Sequence, residues 1–215
     1  RPRHSPDVAP KLRQLTGRAG RPLPVPFFER PSEVVARELI GALIEVRSGR
    51  TSAVGRIVET EAYLGADDPA SHAFAYRRHA GNASLYLPPG TWYVYRSYGI
   101  HWCANLTAGG RPAGSAVLLR AVEPLGGVPG MRRRRGGVGD RLLANGPGKL
   151  CQALAIERSL DGRPMRGSWA QVFAGAPAPD VTVTPRIGIS KAADWPLRFV
   201  ATGTPWASRP TARRS

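Results

Sequence analysis

Two cysteines, Cys103 and Cys151, are all this 215-residue chain has. They are far apart in sequence and lack partner cysteines, which excludes a disulfide framework and any cysteine-rich metal site and makes reduced thiols the default. The four histidines, His4, His72, His79 and His101, show no metal-ligand spacing. No apolar run approaches the roughly 20 residues of a membrane-spanning helix, and no apolar stretch follows the basic start as a secretory signal requires. There is no internal repeat. Acidic residues are few: 15 Asp and Glu against 31 Lys and Arg give a formal net charge of +16. An excess of that size points to a polyanion as partner, because neutralised phosphates release counterions. Lysine is scarce beside arginine; that skew fits phosphate forks, and equally a GC-rich coding sequence.

What is present fits one domain. With 42% hydrophobic residues the chain can bury a substantial core, and no composition break divides its middle. Residues 1–24, rich in Arg and Pro and without apolar periodicity, are expected to be a disordered basic leader; residues 25–208 the domain; and residues 209–215 a short tail. A helix is expected over Ser32 to Leu39, where Val35 with Leu39 and Ala36 with Ile40 fall four apart, and Gly41 can terminate it. Strands are expected at Leu43 to Val46, Gly55 to Glu61 and Ala116 to Ala121. A helix over Gly148 to Ala155, begun by Gly146-Pro147, precedes late strands near Val181, Arg186 and Leu197 to Ala201. The mixture predicts an α+β fold. The run Met131-Arg132-Arg133-Arg134-Arg135-Gly136-Gly137 reads as a mobile basic loop that strengthens non-specific contact with the phosphates of such a polyanion, the alternative being a solvated, partly disordered insertion.

Two segments carry chemistry. In Ile57-Val58-Glu59-Thr60-Glu61-Ala62-Tyr63-Leu64-Gly65, strand alternation sends Glu59 and Glu61 to the same side. Cleavage of a glycosylic bond needs a carboxylate near the anomeric carbon, and Glu61 with His72 could supply such a group and a partner to it. Alone, a glutamate pair on a strand is more often a solvated edge and a lone histidine more often structural. The context is a hairpin from Thr91 to Thr107 with Ser97-Tyr98-Gly99-Ile100 at its turn. Alternation places Tyr93 and Tyr95 on one face and Trp92, Val94 and Arg96 on the other, while Asn105 shares a face with His101 and Cys103. Ordinary strand packing would account for Tyr93 and Tyr95. Tyr98 at an exposed tip is a poor core residue and a good wedge between stacked bases.

These segments, with Val117 to Leu125 (Val-Leu-Leu-Arg-Ala-Val-Glu-Pro-Leu), Asn145 to Ile156 (Asn-Gly-Pro-Gly-Lys-Leu-Cys-Gln-Ala-Leu-Ala-Ile) and Pro185 to Ser208, occur in the order seen in a known family. The chain resembles the alkyladenine (3-methyladenine) DNA glycosylase family in its bacterial form. The resemblance implies a single compact domain whose curved, mainly antiparallel sheet is bordered by helices and carries a protruding β-hairpin. It also implies a monofunctional enzyme, working without metal or cofactor as a cytoplasmic monomer, on the nucleoid if bacterial and not on a membrane. The partner would be double-stranded DNA containing damaged purines, extruded and cut from deoxyribose to leave an abasic site. By the same resemblance Glu61 is the general base, with Arg120 beside it and the water. Tyr63, His72 and Tyr95 enclose the flipped base, Asn105 crowds the exocyclic amine of guanine, and Tyr98 fills the vacated stack. The chain departs from the family between His72 and Gly90: in place of an Arg-Asn pair and a Met-Phe step stand Gly81-Asn82 and Leu85-Tyr86. Two other classes fit parts of the pattern. A non-catalytic binder of distorted DNA would use every residue except Glu61. A carbohydrate hydrolase using Glu59 and Glu61 fits the charge poorly, and two residues on one strand point too nearly alike to flank a sugar.

Overall fold

The structure, a computed structural model, describes residues 21–110, 114–178 and 180–208. Two helices lead, α1 (Val25–Phe28) and α2 (Ser32–Glu38), followed by strands β1 (Leu43–Ser48) and β2 (Thr51–Tyr63). After a long irregular segment come β3 (Trp92–Ser97), β4 (His101–Thr107) and β5 (Ala116–Gly126). Helices α3 (Val128–Arg134) and α4 (Pro147–Leu154) precede β6 (Ala170–Phe173), β7 (Val181–Thr184) and β8 (Arg198–Ala201). Every strand pairing is antiparallel, in the order β3-β4-β5-β2-β1-β6, with β8 joined to β2 and β7 to β8. The fold is α+β, as the sequence predicts.

Strand β2 is the axis. Its first half pairs with β1 as far as Arg56, and β8 takes over from Glu59 to Glu61, while β5 runs along the other side. With neighbours on both edges and helix α2 over one face, Ala53–Ala62 is almost wholly buried, Glu59 and Glu61 included, so the glutamate pair is not a solvated edge. The β2–β5 ladder is irregular at the point that matters most. Ile57 pairs with Val122, Glu59 with Ala121 and Thr60 with Leu119, which leaves Val58 and Arg120 without partners in register. Bulges of this kind bend a strand and re-aim the extra side chain. Here they turn Arg120 toward Glu59 and Glu61.

The main core collects Phe28, Val35, Leu39, Ile57, Trp92, Leu106, Leu119, Leu150 and Leu154, with the helices lying on the sheet. Helix α4 approaches β4 closely enough that a Cβ on Gly148 would fall 2.8 Å from the His101 Cβ. That contact brings the start of α4 to the turn end of the hairpin, where His101 pairs with Ser97.

Four sequence expectations change. The arginine run is no loop: Val128–Arg134 is helical, Met131 is fully buried, and three of the four arginines, Arg132, Arg134 and Arg135, are staples. Arg134 donates through Nε and Nη2 to the Ala153 carbonyl at the end of α4 (2.9 and 2.6 Å), Arg132 pairs with Asp140 (2.7 Å), and Arg135 Nε donates to the Leu143 carbonyl at 3.0 Å. Arginine is a good helix former, and free carbonyls at a helix end are good acceptors for it. Only those distant acceptors reveal the role. No strand forms at Arg186, whose side chain is spent on a buried ion pair, and a short strand, β6, appears where none was expected. Pro22 bridges to Phe173 and Leu23 N–H donates to Val172 O at 2.8 Å, so residues assigned to the leader cover the edge of β6. The rest of the leader, residues 1–20, and the tail, residues 209–215, lie outside the described residues.

Candidate functional site

A cleft of about 940 Å³ opens between the β3–β4 hairpin, the segment after β2, the start of α4 and the loop at Ile187–Ile189. Tyr63, His72, Tyr93, Tyr95, Tyr98, Cys103, Asn105 and Arg120 all line it. The hairpin delivers its residues by strict alternation. Trp92 and Val94 enter the main core, while Tyr93 and Tyr95 turn to the cleft and stack on each other, ring centroids 5.3 Å apart. His72 lies edge-on to Tyr95 at 4.5 Å, and its Nδ1 is 2.7 Å from the Tyr93 hydroxyl. Burial, aided by the charges of His79 and Arg77, depresses the His72 pKa, which favours the neutral ring.

Asn82, fully buried, holds this wall from behind. Its Nδ2 donates to the carbonyls of His72 (3.0 Å) and Arg77 (2.9 Å), and its Oδ1 accepts from His79 N–H (2.9 Å). The asparagine kept in the otherwise atypical loop is therefore an anchor for His72.

Tyr63 stands apart from that aromatic group. Its hydroxyl donates to Glu61 Oε2 at 2.9 Å, and the Arg186 guanidinium lies 4.6 Å from its ring centroid. Arg186 is itself fully buried against Asp68, Nη2 to Oδ1 at 2.9 Å, and donates to Ala62 O at 3.0 Å. Burial and the Glu61 charge push the Tyr63 phenol well above its usual pKa, so it remains a donor.

Glu61 has no exposed surface and is not itself a wall, but three of its partners are. Oε1 accepts from Ile187 N–H at 2.8 Å and faces Arg120 Nη1 at 3.2 Å; among the described residues, Oε2 accepts from Tyr63 alone. The carboxylate thus sits one side chain below the cleft floor. Arg120 spreads its other nitrogens over Glu59 Oε1 (Nε, 2.8 Å) and Ser208 Oγ (Nη2, 3.3 Å). Burial opposes the Arg120 charge, yet Glu61 and Glu59 outweigh it. Two glutamates of one strand do share a side, and they share a cation.

Asn105 Nδ2 donates to Tyr93 O at 3.0 Å, which fixes the amide on the cleft side of β4. Tyr98 is at the opposite extreme, 89% exposed at the hairpin tip. Its φ of 50° and that of Gly99 at 69° form the tight turn, closed by Ile100 N–H to Ser97 O at 3.0 Å. A bulky residue in this left-handed region is strained, and strain of that kind gathers at functional positions. Among the described residues no set of three or more His, Cys, Asp or Glu side chains is placed to hold a metal ion.

Against known families, the profile of methylpurine-DNA glycosylase matches residues 26–205. The chain belongs to that family. Among relatives, a protein of Agrobacterium fabrum named "Putative 3-methyladenine DNA glycosylase" is 49% identical over 187 residues, covering 87% of this chain and 92% of the relative. One of the same name from Koribacter versatilis is 46% identical, over 87% and 93% of the two chains. The DNA-3-methyladenine glycosylase of Mus musculus is 43% identical over 85% of this chain and 60% of its own length.

In this methylpurine-DNA glycosylase family member the seven residues expected from sequence converge on one cleft, six as walls or rim and Glu61 beneath them. Sequence reasoning missed Tyr93 as the buttress of His72, and Arg186 and Ile187 as supports of Tyr63 and Glu61. It also missed Ser208 as part of the wall. Tyr93 was within reach, since it shares the strand face of Tyr95. Nothing local marks the others; Asp68 and Arg186 are 118 positions apart.

Proposed function

We propose that this chain is a monofunctional DNA glycosylase that flips alkylated or deaminated purines out of duplex DNA and hydrolyses the N-glycosylic bond, leaving an abasic site for base excision repair. The observation that carries this reading is the Glu61 carboxylate, held by three donors immediately under an aromatic cleft whose rim bears an exposed tyrosine. Its Oε2 has a single donor and a lone pair to spare. A water bonded there gives its proton to Glu61 as its oxygen bonds C1′, while the bond from C1′ to the purine nitrogen breaks and its electron pair leaves on that nitrogen; a cationic alkylated purine departs neutral, and an uncharged purine takes a proton from solvent. Arg120 and the Ile187 N–H hold the carboxylate in place through Oε1 and leave Oε2 toward the water.

Extrusion of a base costs about a few kcal/mol, less for a damaged one, and stacking in an aromatic slot offsets about 1–3 kcal/mol per base. His72 and Tyr95 pack directly on each other, so the slot lies between that pair and Tyr63, which packs on neither. An uncharged His72 does not repel a cationic alkylated purine, and the tyrosine rings attract one. The enzyme acts alone, without metal or cofactor, on DNA in the cytoplasm, where a bacterial nucleoid lies. A panel of single-lesion duplexes tests the proposal. Free base should appear by chromatography, with strand breaks only after alkali; breaks without alkali, or no base released from any lesion, would overturn it.

Two side chains make distinct predictions. Tyr98→Ala is expected to weaken capture of a lesion duplex by about 5- to 100-fold, the value of one lost stack, with a far smaller effect on undamaged duplex. Equal losses in a binding titration would remove the wedge role. Asn105→Ala opens space beside the slot and should let guanine lesions be released faster. An unchanged guanine-to-adenine ratio would place discrimination on another residue.

A further inference from the structure

Glu59 is the half of the glutamate pair that the proposed chemistry leaves unused, yet it is the more heavily invested. It is fully buried and takes four donors: Arg120 Nε (2.8 Å), Arg198 Nε (2.7 Å) and Ser208 Oγ (2.6 Å) on Oε1, and Ser208 N–H (2.6 Å) on Oε2. Arg198 stands on β8 opposite Glu61 in register and also reaches Thr184 Oγ1 at 3.0 Å. Ser208 comes from beyond β8 and lines the cleft. Two carboxylates and two guanidiniums thus form a neutral cluster in which Arg120 is shared and Arg198 belongs to Glu59 alone.

A fold needing only packing has little use for four buried charges, since apolar side chains of similar volume are often as stable or more so. Their placement beside Glu61 gives them another use. We infer that Glu59, Arg198 and Ser208 are positioning residues which divide the Arg120 cation between the two carboxylates and so fix the protonation range in which Glu61 works. This rests on the reading of Glu61 as general base. Burial opposes the Glu59 charge, but Arg120, Ser208 and Arg198 together hold its carboxyl below the usual range. Glu59 therefore stays anionic and keeps its claim on Arg120. The groups facing Glu61 are the Tyr63 phenol on β2, Arg120 on β5 and the Ile187 amide, with the Asp68–Arg186 pair behind Tyr63 and the Cys103 thiol, kept neutral mainly by burial, nearby.

The test is single-turnover excision against pH with the full chain on a lesion duplex. In Glu59→Gln one competitor for Arg120 loses its charge, Glu61 holds its own charge more easily, and the acidic limb of activity should move down by about one unit. In Arg198→Gln, Glu59 leans harder on Arg120, and the limb should move up by a similar amount. Lesion-duplex affinity should change little in either. Opposite displacements are what charge division demands; a common displacement, or none, overturns it. If thermal melts show either variant unfolded, Ser208→Ala decides. It keeps the backbone bond to Glu59 and removes one donor from it, so the limb should rise, and an unmoved limb counts against the inference. Glu61→Gln is run beside them: if it excises as the parent does, the general-base reading fails, whereas an inactive Glu61→Gln with unmoved limbs sinks only the charge division.

Discussion

Glu61→Gln should bind a lesion-bearing duplex as the parent protein does and release its base about 10²- to 10⁴-fold more slowly, the range that a positioned general base contributes. The substitution is nearly isosteric. Its carbonyl oxygen can take the place of Oε1 and accept from Ile187 N–H, while its NH2, in the place of Oε2, donates to the Tyr63 hydroxyl oxygen once that hydroxyl turns, so the cleft walls keep their supports. What is lost is the charge that, on the proposed mechanism, takes a proton from water. Because Glu61 has no exposed surface, its removal touches no phosphate contact, and affinity for duplex should follow the same salt dependence as before. Paired measurement of duplex binding and single-turnover base release separates the outcomes. A binder of distorted DNA without chemistry would be indifferent to the change, and an unaltered release rate would falsify the catalytic role.

Asp68→Ala should destabilise the fold by about 3–5 kcal/mol, the cost of leaving a buried partner charge uncompensated. Both side chains of the Asp68–Arg186 pair are wholly buried. Asp68 also accepts from Leu64 N–H (3.1 Å) and Ala70 N–H (3.0 Å), so it closes the turn that leads from Tyr63 to His72. Its loss orphans a guanidinium and two amides at once. For a chain of this size the melting temperature should fall by on the order of 10 °C. Activity should fall as well at temperatures where the variant is folded, because Arg186 backs the Tyr63 ring and its neighbour Ile187 holds Glu61. A melt within a degree or two of the parent would mean that the pair is not worth what its burial indicates.

The hairpin shows how much was legible. Alternation from Trp92 to Tyr95 puts two side chains on each face, and the structure keeps that division because a pleated strand has no other choice; only the fold shows which face is core and which is cleft. The turn at Tyr98-Gly99 was equally legible, since glycine at a tip permits the left-handed geometry found there. Helix α3 shows the opposite case. Four successive arginines look like a solvated run until the carbonyls of Ala153 and Leu143 are brought beside them. The expectation of phosphate contacts from that run is reduced accordingly: Arg132, Arg134 and Arg135 are engaged within the protein.

By itself the sequence determined the family, the antiparallel α+β class, the strand faces of the hairpin and the residue types that line the cleft. These follow from short-range periodicity and from ordered blocks of residues. Tertiary structure alone decided how Glu61 is supported, because a double irregularity in the β2–β5 ladder aims Arg120 and because Ser208 returns across 149 positions to Glu59. Pairing of buried charges depends on where the chain closes on itself. Each carboxylate must find donors once water is withdrawn, and only the assembled fold determines which donors those are.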